Sequence, residues 1–341
     1  MTPIRYLPAP RWIGIVLVLA LALLAGLRSA AGTQLDSFTM DEPWHVVAGT
    51  AYVRGEGFHL NPEHPPLVKL WVGAWMPESF RLPPSAVLKE KEQERDWVEN
   101  VMFFGNDARA AQNSARMSLW TLHGLMLAVL GLLLWRAFGL AWALGTLLFL
   151  ALEPTVGAHL PVVMTDLPLA LSLAIAALCA GLLATTWRWP WAIGCGLAMG
   201  IALAAKHSAL AGLGGLGIGL VIAALCGWRL GGKALIRRAM QLAVAALLSV
   251  AVLWSMYGLH FHAAADGRDA FNRPISAKID DLTLPPWRHA PAFAAAPPLL
   301  PRAYLWGLAD TVRTGVEGRG IGMHQVWGKT YYGNPPWFSW P

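Results

Sequence analysis

Seven apolar blocks dominate the chain, at residues 12–31, 117–135, 137–152, 167–186, 189–205, 208–228 and 239–259. Each approaches the roughly 20 residues that an α-helix needs to cross a bilayer. In hydrocarbon the backbone must satisfy its own hydrogen bonds, so each block reads as a helix. Composition leaves little room for a soluble alternative: hydrophobic residues are 56% and charged residues 13% of the 341, too little charge to coat a water-soluble surface. The expected fold is an all-α polytopic membrane bundle of about seven transmembrane helices. Arg5 and Arg11 before the first block, and Ser29-Ala30-Ala31-Gly32 at its end, are features a cleavable signal peptide shares. We read this block as a retained helix.

The short connections set an orientation. One set carries Arg5, Arg11, Arg136, Arg188, Arg229, Lys233, Arg237 and Arg238, while the other carries only Lys206. The basic set marks the cytoplasmic side, so the amino terminus is cytoplasmic. Two long segments, 32–116 and 260–341, then lie outside, as in a bacterial inner-membrane protein. The expected division is a transmembrane core, 1–259, that includes the outer loop 32–116, followed by an outer segment, 260–341. The net charge of +6 comes largely from the cytoplasmic connections and is no nucleic-acid footprint. Cys179, Cys195 and Cys226 all fall within apolar blocks, which argues against a disulfide framework or a thiolate metal site. Many of the 18 Trp stand at block edges, among them Trp12, Trp135, Trp187, Trp189, Trp191 and Trp228, as in an interfacial aromatic belt. No internal repeat is visible, which weighs against a transporter built from inverted halves. The closing run Trp337-Phe338-Ser339-Trp340-Pro341 reads as the approach to a further span, so a truncated form is expected.

The outer segments hold the candidate chemistry. Short helices are expected from Asp41, over 67–76 after Pro65-Pro66, and over 90–100 as a solvated charged helix, with 260–341 irregular and partly helical. Asp41, Glu42 and His45 fall together, and on a helix Asp41 and His45 share a face. A carboxylate there could take a proton from an attacking hydroxyl, although Asp before Glu-Pro is also an ordinary helix start. In Asn61-Pro62-Glu63-His64-Pro65-Pro66 the prolines restrict the backbone. Glu63 and His64 could there hold a divalent metal or a phosphate, or the prolines merely direct the chain back to the membrane. Glu153, His159 and Asp166 occupy one outer turn, with Asp166 at a helix start where it could equally be a cap. Lys206, beside His207, is a phosphate contact or a snorkelling side chain. These groups converge on one membrane face, at the depth where a lipid phosphate would sit.

At these residues the chain resembles bacterial phospholipid-carrier-dependent glycosyltransferases of the GT-C fold, relatives of the protein O-mannosyltransferases and of the lipid A aminoarabinose transferase. The matching strings are MDEPWHVVAGTAYVRGEGFHLNPEHPPLVKL, FFGNDARAAQNSARM, ALEPTVGAHLPVVMTDLPLAL and GIALAAKHSAL, in family order from about residue 40 to 210. The tail GKTYYGNPPWFSWP matches more loosely. The resemblance implies Asp41 as catalytic base, Glu42 as its acidic neighbour placing the acceptor, and Asp166 as a second acidic motif. It implies phosphate contacts from His64 and Lys206, with His159 a further candidate, and a metal-adjacent carboxylate in Glu63. His64 stands where some relatives have Lys. The implied activity is inverting transfer of a glycosyl group from a polyprenyl-phosphate-linked sugar to an extracytoplasmic acceptor (protein, lipid A or glycan), with a divalent metal as a candidate cofactor. The alternative is a non-catalytic truncated paralogue that binds carrier lipid or scaffolds an envelope assembly. A flippase would place its charges near the bilayer midplane, whereas these cluster at one interface.

Overall fold

A computed structural model describes residues 11–84, 88–227, 231–283, 285, 288–289, 298–318, 323–326 and 328–332. Arg5, Trp228, Arg229 and the tail 333–341 lie outside them. The apolar blocks are all helical: α1 (Arg11–Gly32), α5 (Ala108–Phe138), α6 (Leu140–Leu152), α8 (Asp166–Thr186), α9 (Trp189–Ala205), α10 (Ala209–Leu225) and α11 (Gly232–Met256). Four of them, α1, α5, α8 and α11, are long and apolar enough to cross a membrane. The other three have 13, 17 and 17 residues. At about 1.5 Å per residue, the shortest rises only ~20 Å against a hydrocarbon core of ~30 Å. Seven apolar helices therefore do not translate directly into seven crossings. Large apolar side chains point outward along these helices, including Leu23, Ile218 and Leu247 at 62%, 65% and 70% exposure, a surface suited to lipid rather than water.

The two ends of the bundle differ sharply. At one end Trp187 closes α8 in the left-handed region with φ 47°. Its carbonyl accepts from Arg237 at 3.3 Å and from Gln241 at 2.8 Å. The Arg238 guanidinium lies 4.5 Å from the Trp187 ring centroid, and Arg136 lies 5.9 Å from that of Trp191. Basic residues that the charge pattern grouped thus do meet at one end. Helix α5 begins nine residues before its apolar block because Asp107 accepts from the amides of Arg109 and Ala110, both at 3.0 Å, a standard cap. This extension carries Arg116, which donates to the carbonyls of Thr33 at 2.6 Å and Asp36 at 2.9 Å. It thereby fixes the strand of chain leading to Asp41.

The opposite end gathers the elements of the segments expected outside: α2 (Glu42–Val53), α3 (Leu67–Gly73), α4 (Lys91–Glu99), α7 (Pro154–His159), α12 (Ile275–Asp280) and α13 (Arg302–Thr311). A π-helical turn, Asn100–Phe104, extends α4. Met323–Val326 and Lys329–Tyr332 form an antiparallel hairpin, β1–β2, a small departure from an all-α fold. Helix α2 is buried all round. Val46 and Val47 pack with Val68, Val72 and Leu119, whereas Ala48, Ala51 and Tyr52 pack with Ala202, Ala205 and Leu305. A helix apolar on every face must be wrapped by others, so this outer segment is a wedge in the bundle. Gly49 and Gly73 let α2 and α3 touch backbone to backbone. A Cβ on either would run into a carbonyl of the other helix.

Candidate active site

Asp41 precedes α2 in helical geometry, φ −91° and ψ −19°, and its side chain makes no capping bond. It is exposed, and it lines a cleft of about 310 Å³ with Trp44, His45, Asn61, Glu63, His64, Lys91, Glu92 and Arg95. The capping account of Asp41 therefore does not hold. Its carboxylate faces the cleft at a helix amino terminus, where the dipole favours negative charge.

Glu42 behaves differently from the acceptor-placing group the resemblance implies. It is fully buried, and its two oxygens accept from the amide of Thr39 at 2.6 Å and of Val163 at 3.0 Å. It clamps the approach to Asp41 against the outer turn before α8. Asp166 is the first residue of α8 and caps nothing; its Oδ1 accepts from Lys206 Nζ at 2.6 Å. This pair is partly exposed, at 56% for Asp166 and 27% for Lys206, so its own contribution to stability is at most about 1 kcal/mol. Lys206 is anchored rather than merely snorkelling. His159 does not join the site: it is exposed, and its Nδ1 bonds the Thr155 carbonyl of its own short helix at 2.7 Å. Glu153 caps α7 by accepting from the Val156 amide at 2.6 Å.

The 61–64 turn is held from beneath by a residue that the sequence did not single out. Lys69, on α3 and fully buried, donates to the carbonyl of Asn61, to that of His64 at 2.9 Å and to the Tyr52 hydroxyl at 3.4 Å. These bonds hold Asn61 at φ 46°, a conformation Asn tolerates better than most residues. Burial pulls the Lys69 ammonium down to about 7, against partial support from Glu63. From α4, Glu94 accepts from the Asn61 amide at 2.7 Å and from the Asn272 side chain at 3.0 Å. Burial, with Glu63 nearby, raises the Glu94 carboxyl.

Glu63 itself pairs with Lys91 at 2.7 Å. Burial opposes its ionisation, but the Lys91 ammonium prevails and holds its carboxyl below the ordinary range. Lys91 also sits 3.9 Å from the Trp44 ring centroid. Lys91 and Arg95 are the cations of the cleft, beside the carboxylates of Asp41, Glu63 and Glu92; Lys91 is paired with Glu63, and Arg95 with Glu99 at 3.5 Å. The Lys91–Glu63 pair at 2.7 Å commits both groups to each other. Among the described residues no three His, Cys, Asp or Glu side chains converge as a cage. A divalent metal at Glu63 would have to displace the Lys91 ammonium.

His45 and His64 lie with ring centroids 5.5 Å apart. Burial, reinforced by Lys69, lowers His64 to about 4, and burial takes His45 well below its usual value. Both are neutral at neutral pH, so His64 can offer a hydrogen bond to a phosphate but no charge. Lys206 and Asp166 act electrostatically on His64, although neither lines the cleft.

The polytopic helical bundle has the GT-C glycosyltransferase fold. It is similar to the S. cerevisiae protein O-mannosyltransferase Pmt1–Pmt2 complex bound to its sugar donor, with TM-score 0.54 and 19% identity over 77% of this chain and 36% of that one. A family model described as dolichyl-phosphate-mannose-protein mannosyltransferase matches residues 17–266, and the chain belongs to that family. It spans little more than a third of the yeast chain it matches, 36%. No curated protein matches the chain.

Proposed function

We propose that the protein transfers a glycosyl group from a polyprenyl-phosphate-linked sugar to a hydroxyl, of a protein by the family's description, at the extracytoplasmic face of a bacterial inner membrane. The observation that carries this reading is the cleft beside α2, where Asp41, whose side chain makes no capping bond, shares the lining with Lys91 and Arg95. The basic end of the bundle would face the cytoplasm.

The chemistry is a single displacement. The acceptor oxygen attacks the anomeric carbon while Asp41 takes its proton, and the bond from that carbon to the phosphate oxygen breaks with its electron pair going to the phosphate. Attack opposite the leaving group inverts the anomeric configuration. The phosphate passes from one negative charge as a diester to two as a departing monoester, so cations near it stabilise the transition state. Lys206, positioned by Asp166, and Lys91 with Arg95 supply them, and His64 supplies a neutral donor. Fixing donor and acceptor in one cleft removes an entropic barrier of roughly 7 kcal/mol or more when alignment is good.

The test is transfer of label from radiolabelled undecaprenyl-phosphate sugars to cell-envelope acceptors by the reconstituted protein. Lys206→Ala is expected to raise the donor KM about tenfold. Donor binding without turnover for every sugar and acceptor tried would overturn the proposal in favour of a non-catalytic carrier-lipid binder.

A further inference from the structure

The outer segment after α11 is stitched to the first outer loop at three separated places. The Phe58 amide donates to the Ala263 carbonyl at 2.7 Å. Glu94 joins the Asn61 amide to Asn272. The third place is Gly307 on α13, where a Cβ would collide with the Pro62 carbonyl and the His207 ring and would stand 3.3 Å from the Glu63 carbonyl carbon. The α13 backbone therefore rests at once on the turn that carries Glu63 and His64 and on the residue next to Lys206.

Helix α13 is itself firmly seated. Trp306 is 1% exposed and its indole donates to the Arg273 carbonyl at 2.8 Å. Lys278 on α12 pairs with Asp310 at 2.5 Å and lies 4.1 Å from the Trp306 ring centroid. Tyr304, three residues before Gly307 and so on the same helical face, packs on the His207 ring at 4.6 Å between centroids. His207 is 2% exposed, and neither of its ring nitrogens has a hydrogen-bond partner among the described residues. Its role in this contact is therefore one of shape: the ring fills the space between α13, the 61–64 turn and Lys206. Burial first, then the neighbouring His64 and Lys69, keeps it neutral, so it adds no charge of its own beside Lys206.

We infer that α13 is a structural wall of the donor-phosphate site, with Gly307 and His207 as positioning residues that fix Lys206 against the Glu63–His64 turn. The inference rests on the transferase reading above. The backbone contact at Gly307 sets the distance between two phosphate-facing elements, the 61–64 turn and Lys206, that are far apart in the sequence. The sugar-phosphate pocket is then complete only with the outer segment docked.

The experiment measures binding of radiolabelled undecaprenyl phosphate, and separately donor and acceptor KM, for the full chain in nanodiscs. Gly307→Ala is expected to weaken undecaprenyl-phosphate binding about tenfold and raise the donor KM equally, with the acceptor KM unchanged. Loss of folded protein would instead lower kcat and leave both KM values alone. Gly315→Ala is the control on the same segment, because a Cβ there meets nothing within 4 Å among the described residues; it should match the wild type. If Gly307→Ala does not fold, His207→Leu, which keeps bulk but loses the ring contact with Tyr304, should weaken binding in the same direction. Wild-type binding and turnover with unchanged donor affinity in the variant that folds would overturn this inference alone. A wild type that neither binds undecaprenyl phosphate nor turns over would overturn the transferase reading and this inference together.

Discussion

Asp41→Asn is expected to lower kcat for glycosyl transfer about a thousandfold, within the range a positioned general base supplies, while donor affinity stays within about twofold. Asparagine keeps the shape of aspartate but cannot take the acceptor's proton. The Asp41 side chain makes no capping bond in the fold, so the variant should lose only the charge–dipole contribution, at most about 1 kcal/mol. Donor affinity should hold because the cations of the cleft, Lys91 and Arg95, belong to α4. Single-turnover transfer at saturating donor separates the two quantities. Retention of more than a tenth of the wild-type rate would remove Asp41 from the base position. Glu42, by contrast, holds two backbone amides, so truncating it should lower the melting temperature as well as the rate.

Much of this was legible in the chain because a membrane protein separates its apolar and polar tasks along the sequence. Charged residues between apolar blocks are few, so Asp41, Glu63, Asp166 and Lys206 stood out, and topology alone put them at one end. What failed to show was burial within the outer loops. Lys69 stands in the run Leu67-Val68-Lys69-Leu70, where a lone lysine reads as the wet side of a short helix. The signal missed was that apolar residues surround it on both sides of that turn. Glu94 stands in EKEQERDWVEN, which reads as solvated; yet Glu94, Val98, Val101 and Met102 are all buried, and their spacing of four, three and one marks a single inward stripe. His159 misled in the other direction, since proximity in sequence to Asp166 does not put it on the same surface. Contacts from the outer segment after α11, such as Asn272 on Glu94 and Gly307 on Pro62, join residues far apart in sequence and carry no local periodicity.

Lys69→Met should be nearly as damaging as loss of the base, with activity down more than a hundredfold, although Lys69 lies beneath the cleft rather than in it. Methionine has similar length but donates nothing, so the carbonyls of Asn61 and His64 lose a buried partner. Each unpaired buried acceptor costs roughly 1–3 kcal/mol, enough to release Asn61 from its left-handed conformation and let Glu63 and His64 drift. A displacement of about 1 Å in such a constellation can cost a hundredfold in rate. The same lysine leaves a signature in pH. Its folded value of about 7 lies below the ordinary 10.5, so across that window the unfolded chain binds the extra proton. Stability therefore rises with pH through the window, and below it the full penalty of burying the ammonium is felt. The wild type should melt higher as pH climbs from about 7 toward about 10, whereas Lys69→Met should lack that increment. Taking the difference between the two melting curves cancels the other titrating groups. Parallel wild-type and variant curves across this range, with transfer preserved, would show that the 61–64 turn does not depend on Lys69.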